Sequence, residues 1–476
     1  MVKRRRNFGA LLGLAAILSG CGGGGGSSGG TTAATPTPSS SGSSSACSLA
    51  SRQNWAFGVL QEWYLFPETL PASLSPAPYA TVGDYIDALT ATARSQGKDR
   101  FFTFLTSIKE EDAYYNSGST AGFGFRLSTD ATQKRAFVPE VFETAPAFAA
   151  GMDRGDEIIA IGDTPANLRS VSDIITAGGT GAVSDALGPT TAGVTRTLRL
   201  TGPAGTRDVT MTKADYSLQP LSNRYGAKVI DEAGRKIGYV NLRTFINTAD
   251  SQLQAAFAQF RAAGVSDVIV DLRYNGGGLV ASAQLLGDLL GRARFSSEVQ
   301  TRTVYRPEKA SNNETRFFKS QSGSVAPMRL AFIGTGATAS ASELAVNAQV
   351  PYFQQNMALV GANTYGKPVG QIAIDKAACD DRLRVIAFAV KNAANTGDYY
   401  TGLASTLPVT CQAGDDFNHP LGDPQEASTR QALDFIEGKT CTAIPTGQAG
   451  QALAARRMLL APARPNAAQR ETPGLF

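Results

Sequence analysis

The sequence predicts a mixed α/β protein in three folded parts, and three observations predict it. Residues 47–116 place apolar and aromatic side chains at helical spacing, residues 117–215 break into short apolar runs between glycine turns, and from Lys228 onward strand-like and helix-like stretches alternate. Alternation of that kind builds a mixed or parallel sheet with crossover helices. With 42% hydrophobic and 18% charged residues in a 476-residue chain, the folded parts have enough apolar surface to bury two or three cores.

Residues 1–20 come first. Lys3-Arg4-Arg5-Arg6 precedes an apolar run from Phe8 to Leu18. A charged start followed by a short apolar stretch is an export signal, too short to remain as a membrane-spanning helix. Leu18-Ser19-Gly20-Cys21 resembles a bacterial lipobox, which implies acylation of Cys21 and a membrane partner through that lipid anchor. Gly22 after Cys21, with no Asp there, points to the outer membrane, facing the periplasm, if the host is Gram-negative. Residues 21–46, rich in Gly, Ser, Thr and Pro, suit a flexible tether. Gly26-Ser-Ser28-Gly-Gly30 matches G-x-S-x-G by chance, since no strand precedes it and no helix follows.

Removing residues 1–20 takes away four of the 44 basic residues and none of the 40 acidic ones, leaving 40 of each. A chain near neutrality, with no basic excess, is a poor candidate for nucleic acid binding. Four cysteines follow Cys21: Cys47, Cys379, Cys411 and Cys441. An even count in an exported chain suggests two disulfides. Cys379 with Cys411 would flank one segment, and Cys47 with Cys441 would tie the start of the folded region to its end. No C-x-x-C pair is present, which argues against zinc, and no cofactor or metal is expected.

The N-terminal region, 47–116, reads as helices carrying Trp55, Val59, Leu60, Trp63 and Tyr64, then Val82–Leu89. Ser95-Gln-Gly-Lys98 matches S-x-x-K, but no K-T-G follows and a glycine interrupts it, so it is a chance match. In residues 117–215, Gly122-Phe123-Gly124-Phe125 resembles the carboxylate-binding loop of PDZ domains, and Ala150-Gly151 through Gly155-Asp-Glu-Ile-Ile-Ala-Ile161 resembles a second PDZ block. That resemblance implies β-augmentation: a peptide with a free C-terminus pairs with an open strand edge while loop amides receive its carboxylate. Residues 177–193, rich in Gly, Ala and Thr, read as an inserted loop.

The core, 216–445, reads as strands at 237–242, 268–272, 330–333, 358–361 and 382–390, with helices at 250–263 and 279–290. Two stretches stand out in it. Asp271-Leu-Arg-Tyr-Asn275-Gly-Gly277-Gly278 ends a buried strand in a glycine turn, and Ser340-Ala341-Ser-Glu343 opens a helix after another strand. By itself Ser340-x-x-Glu343 is a capping box. It is also compatible with a nucleophile, because a helix N-terminus offers free N–H groups to an oxyanion. The usual base for a serine is histidine. The chain has one, His419, in a polar Asp415-Asp-Phe-Asn-His loop. A lysine with a burial-depressed pKa does the same work, and Lys367 lies on a glycine-flanked loop.

Taken in order, Asp271-Leu-Arg-x-Asn-x-Gly-Gly, Ser340-Ala-Ser-Glu343 and Gly366-Lys367 with Gln371 resemble the signature blocks of the carboxyl-terminal processing peptidases of the S41 serine peptidase family. The resemblance implies Ser340 as nucleophile, Lys367 as general base and Gln371 as the residue that orients the lysine. It further implies an oxyanion hole from the amides of Ala341 and of Gly277 or Gly278. The Ser340–Lys367 spacing is about two residues longer than expected for the tail-specific members, and the extra residues are placed in a loop near Pro351 to Asn356. The implied activity is serine endopeptidase action on proteins recognised by their C-termini. Two alternatives are a PDZ-bearing lipoprotein that binds such peptides without cutting them, and a hydrolase acting on a small amide or ester. The tail, 446–476, rich in Ala, Gln, Arg and Pro, reads as a loose end.

Overall fold

The catalytic-type motifs fall on two sheets, and the strand composition explains the first of them. Asp267–Asp271, Leu330–Gly334 and Met357–Gly361 are buried along their whole length. They are the neighbouring parallel strands at the centre of a six-stranded sheet. Strands covered on both faces need near-continuous apolar runs. The faces alternate accordingly. Val268, Val270, Leu330, Phe332 and Leu359 pack against helices Ala249–Ala263, Val280–Leu290 and Ala341–Phe353. Ile269, Ala331, Ile333, Ala358 and Val360 pack instead with Leu433 and Ile436 of helix Ala427–Glu437. Arg235–Asn241 joins in parallel beside Asp267–Asp271, Thr410–Gln412 closes one edge, and Ala227–Glu232 runs antiparallel at the other.

This computed structural model describes residues 45–447 and 458–476. Residues 1–20, Cys21 with most of the tether, and residues 448–457 lie outside them. The second sheet has five strands: Phe104–Ser107, Asp381–Lys391, Val299–Tyr305, Glu314–Phe317 and Val369–Lys376. Helices Leu49–Trp63 and Val82–Leu89 bury Leu60, Tyr64, Ile86 and Leu89 against its Leu383, Val385 and Ile386. Residues 47–116 are therefore helical as expected but are not a separate body, since Phe104–Ser107 pairs with Asp381–Ser107's partner strand in the register Phe104↔Arg384 to Ser107↔Asp381.

The glycine-punctuated stretch forms an antiparallel sheet from Phe125–Asp130, Arg135–Val141, Glu157–Gly162, Thr195–Gly202 and Gly205–Thr212, with the short strand Arg169–Ser170 beside it. Residues 177–193, expected as a loop, are largely helical: Val171–Gly178 continues into this range and Gly181–Leu187 follows it. Val183 and Leu187 are fully buried in the sheet's core, and that burial outweighs the glycines flanking the helix.

Three other expectations are corrected. The disulfides join Cys47 to Cys379 and Cys411 to Cys441, not Cys379 to Cys411 and Cys47 to Cys441. Cys379 lies in the turn between Val369–Lys376 and Asp381–Lys391, which brings it beside the start of the first helix, at a Cα–Cα distance of 5.5 Å from Cys47. Cys411 lies on the edge strand and Cys441 just after helix Ala427–Glu437, 5.3 Å away between Cα atoms. The region Pro351–Asn356 is not an open loop: Pro351 to Phe353 complete the helix and Gln354–Asn356 forms a single 3₁₀ turn. Finally, residues 458–476 are not loose. Met458–Leu459 pairs with Phe125–Asp130, Ala467–Glu471 is helical, and Leu475 and Phe476 are buried. Among the described residues no helix is long and apolar enough to cross a membrane.

Candidate active site

Ser340 stands between strand Leu330–Gly334 and helix Ala341–Phe353, at φ 56° and ψ −115°. A non-glycine residue there carries about 1–3 kcal/mol of backbone strain and needs surroundings that over-determine it. The neighbouring glycine turn supplies them. Asn275 O accepts from Ala339 N–H (3.1 Å) and from Ser342 Oγ (3.0 Å), and Thr338 Oγ1 donates to Leu272 O (2.9 Å). The Asn275 side chain in turn donates to Leu242 O (2.9 Å) and accepts from Gly277 N–H (2.9 Å). Gly277 and Gly278 both have φ 125°, and a Cβ on Gly277 would come within 2.8 Å of the Ser340 Cβ. Only glycine allows this approach.

Gly277 N–H is thus already engaged by Asn275. Gly278 N–H and Ala341 N–H have no protein acceptor among the described residues, so of the two glycines named from the sequence Gly278 is the one with a free donor.

Lys367 and Gln371 come from the second sheet. Lys367 precedes strand Val369–Lys376, on which Gln371 sits, and Lys367 Nζ donates to Gln371 Oε1 at 3.0 Å. Gln371 Nε2 donates to Phe102 O, which fixes the amide so that its oxygen faces the lysine. The Lys367 ammonium also lies 5.1 Å from the Phe102 ring centre. Ser340, Ala341 and Lys367 line one small cavity with Val280, Leu344, Val369, Gly370, Val390 and Tyr399. At about 10 Å³ it has room for no more than about one water molecule.

Glu343 ties the two halves of the site together. It is fully buried and accepts from Ser340 N–H (3.0 Å), Thr364 Oγ1 (2.6 Å), Gly366 N–H (2.7 Å) and Lys367 N–H (2.7 Å). The first of these bonds is the return arm of the capping box; the other three reach across to the lysine loop. Burial raises the Glu343 pKa, against the opposing pull of those donors.

Burial also lowers Lys367 below the ordinary lysine value of about 10.4. The neutral amine that can accept a proton is therefore reached at a lower pH than for an exposed lysine. Hydrolysis is expected to rise with pH along one limb whose midpoint lies below that ordinary value, and Lys367→Arg, which keeps the charge at all accessible pH, is expected to abolish it. An initial-rate profile from pH 5 to 10 checks this. A limb near pH 6.5 that disappears in His419→Ala would reassign the base.

His419 is elsewhere. Its Nδ1 is 2.6 Å from Asp416 Oδ2, its carbonyl accepts from Arg154 Nε at 3.0 Å, and the hydrogen bond to Asp416 raises its pKa. It lines no part of the Ser340 cavity. Gly122 to Phe125 lie on the β-rich sheet, where Gly124 N–H (2.7 Å) and Phe125 N–H (3.4 Å) donate to the backbone oxygen of Phe476. Cys21 is outside the described residues. Among the described residues no group of three or more His, Cys, Asp or Glu side chains is placed to hold a metal ion.

Sequence reasoning missed Asn275 as a brace, Phe102 as the anchor of Gln371, and Glu471, whose carbonyl accepts from Gly276 N–H at 3.0 Å. Glu343 was visible only as a cap. Its bonds to a loop more than twenty residues away follow from the fold and leave no local signal.

Residues 236–393 match the description of Peptidase family S41. Among curated proteins the chain is 28% identical over 272 residues to the chloroplastic C-terminal processing peptidase of Tetradesmus obliquus, covering 54% of each chain. It is 27% identical over 256 residues to a carboxyl-terminal-processing protease of Picosynechococcus sp., covering 53% of this chain and 55% of the relative. The chain thus spans about half the length of these relatives. A crystal structure assigned to the S41 proteases, from Bacteroides fragilis, superposes with a TM-score of 0.64 at 22% identity, over 81% of this chain and 97% of that one. That likeness is one of fold.

Proposed function

Given that residues 236–393 form a Peptidase family S41 domain, we propose that the protein is a serine endopeptidase with a Ser340–Lys367 dyad assisted by Gln371. The observation that carries this reading is the buried Glu343 carboxylate. It holds the Ser340 backbone and the Lys367 backbone at once, while Lys367 Nζ rests on Gln371. In the proposed mechanism the neutral Lys367 amine takes the proton of Ser340 Oγ as that oxygen attacks the scissile carbonyl. Gln371 Oε1 keeps the amine aimed. The amides of Ala341 and Gly278 receive the tetrahedral oxyanion, a contribution of about 3–4 kcal/mol per donor in comparable sites. Protonated Lys367 then returns its proton to the departing amine.

Substrates in this reading are proteins recognised by their C-termini through the PDZ-like sheet of residues 117–215, as the names of the relatives suggest. The anchor in this reading is a lipid on Cys21 that holds the enzyme in the cell envelope, at the outer membrane facing the periplasm. Two disulfides accord with an exported chain. The direct test is reaction of residues 45–476 with a fluorophosphonate probe, followed by mass spectrometry of the labelled peptide. Label on Ser340 that Lys367→Ala removes is the expected result. A folded protein that takes no label, with or without a C-terminal peptide present, would leave only the non-catalytic reading.

A further inference from the structure

The free edge of strand Phe125–Asp130 is filled by the chain's own last residues. Phe476 N–H donates to Phe125 O (3.0 Å), Gly124 N–H donates to Phe476 O (2.7 Å), and Leu127 N–H donates to Gly474 O (2.8 Å). Leu475 sits opposite Arg126 in antiparallel register. These are the bonds of an added β-strand. The side chains agree with that placement. Phe476 is buried in the same apolar cluster as Phe123, Phe125 and Leu127, and Gly122 leaves it room, since a Cβ there would lie 3.0 Å from the Phe476 carbonyl carbon. Arg126 Nη1 donates to Pro473 O at 2.6 Å, and Gln469 Nε2 to Leu475 O at 3.1 Å.

The same segment reaches the catalytic turn. Just upstream of Pro473, Glu471 O accepts from Gly276 N–H, the residue before the two glycines beside Ser340, and Tyr115 hydroxyl donates to Glu471 Oε1 at 3.2 Å. Thr472 Oγ1 lies 3.0 Å from the Tyr114 hydroxyl. One continuous stretch therefore occupies the sheet edge and braces the turn whose geometry Ser340 depends on.

We propose that residues 473–476 are a built-in occupant of the peptide groove, so that the groove takes peptides presenting an extended, apolar Gly-Leu-Phe-like end, and takes them only in exchange for this segment. The proposal rests on the reading of residues 117–215 as the substrate-capturing part. Its physical basis is that backbone pairing with a strand edge is indifferent to which chain supplies it, while the pocket around Phe476 selects an aromatic or large apolar side chain. An intramolecular occupant lowers the apparent affinity for an external peptide by the fraction of time it is seated.

The test measures binding and not hydrolysis, so it is separable from the peptidase reading. Residues 45–476 carrying Ser340→Ala are titrated into fluorescein-labelled Glu-Thr-Pro-Gly-Leu-Phe, in free-acid and amidated forms, with anisotropy as readout. Two further proteins in that background are Phe476→Asp and a chain ending at Pro473, which keeps helix Ala467–Glu471 and the Arg126 contact; circular dichroism confirms their folding. The expected result is binding at least about tenfold tighter in both variants than in the parent, lost when the peptide's Leu-Phe is replaced by Asp-Asp. The free-acid and amidated arms separate recognition of a terminal carboxylate from recognition of the strand alone, and either supports the proposal. Equal binding by parent and variants overturns it. So does failure of both variants to fold, which would make the segment a fixed strand of the sheet. Fluorophosphonate labelling of Ser340, measured on the unsubstituted chain, reports on the peptidase reading whatever the binding outcome.

Discussion

Ser340→Ala is expected to lower peptide hydrolysis by at least about 10³-fold without changing the melting temperature by more than a few degrees. The size follows from the role. With the hydroxyl gone no acyl-enzyme can form, and only binding and the Ala341 and Gly278 amides remain to act on a water. The small effect on stability follows from what holds the backbone at Ser340. Its strained φ of 56° is imposed through Asn275, Thr338 and Glu343, all of which bond to backbone atoms or to neighbouring residues and not to the Ser340 hydroxyl. Matched kcat and KM measurements beside a thermal melt check both halves. A loss below about tenfold would exclude Ser340 as nucleophile, and a collapse of the fold would mean that the hydroxyl itself is structural.

Glu426→Gln carries the largest expected loss of stability, about 3 kcal/mol at pH 7. Arg273, in the strand-end turn that leads to Gly277, is fully buried; its Nη1 and Nη2 each donate to Glu426 at 2.8 Å, and its Nε donates to Asp271 at 3.0 Å. Burial alone would push the Glu426 carboxyl up, but the Arg273 guanidinium overrides it and holds the value at about 2. A carboxyl depressed in the folded state stabilises above its unfolded value of about 4.3 and loses that contribution as pH falls towards about 2. The stability gap between wild type and Glu426→Gln is therefore expected to be full at pH 7 and to shrink steadily below about pH 4.5. Denaturant unfolding at pH 7, 5 and 3 measures it. A gap that does not change with pH would remove the ion pair as its cause. Because Arg273 positions the turn, the variant should also lose activity, and a milder Glu426→Asp change should restore part of both.

How much of this could be read in advance differs from one residue to the next. The central strands at 267–271, 330–334 and 357–361 are uninterrupted apolar runs, and burial on both faces writes itself into composition. The helices between them carry their own periodicity. Strands Val299–Tyr305 and Glu314–Phe317 were not legible, because they are half-exposed and rich in Thr, Arg and Glu; their pairing partner, not their composition, makes them strands. Helix Gly181–Leu187 was hidden for the opposite reason, its flanking glycines reading as a loop while Val183 and Leu187 settle the matter by burial.

The candidate site divides in the same way. Ser340, Lys367 and Gln371 could be named from spacing and resemblance, and His419 could be weighed against them as the single histidine. That Glu343 links serine and lysine loops, that Gly277 spends its N–H on Asn275, and that Phe102 fixes Gln371 are contacts across sheets.

The sequence by itself determined the order of the parts, the buried strands and the residue types of the proposed dyad, because hydrophobic periodicity and short motifs are local properties of a chain. Tertiary structure alone decided the disulfide partners, one pair being 332 residues apart, and the seating of residues 458–476 along a strand edge. A cysteine's partner is whichever sulfur the fold brings near, and backbone hydrogen bonds to a sheet edge are available to almost any sequence, so neither leaves a mark in the order of residues.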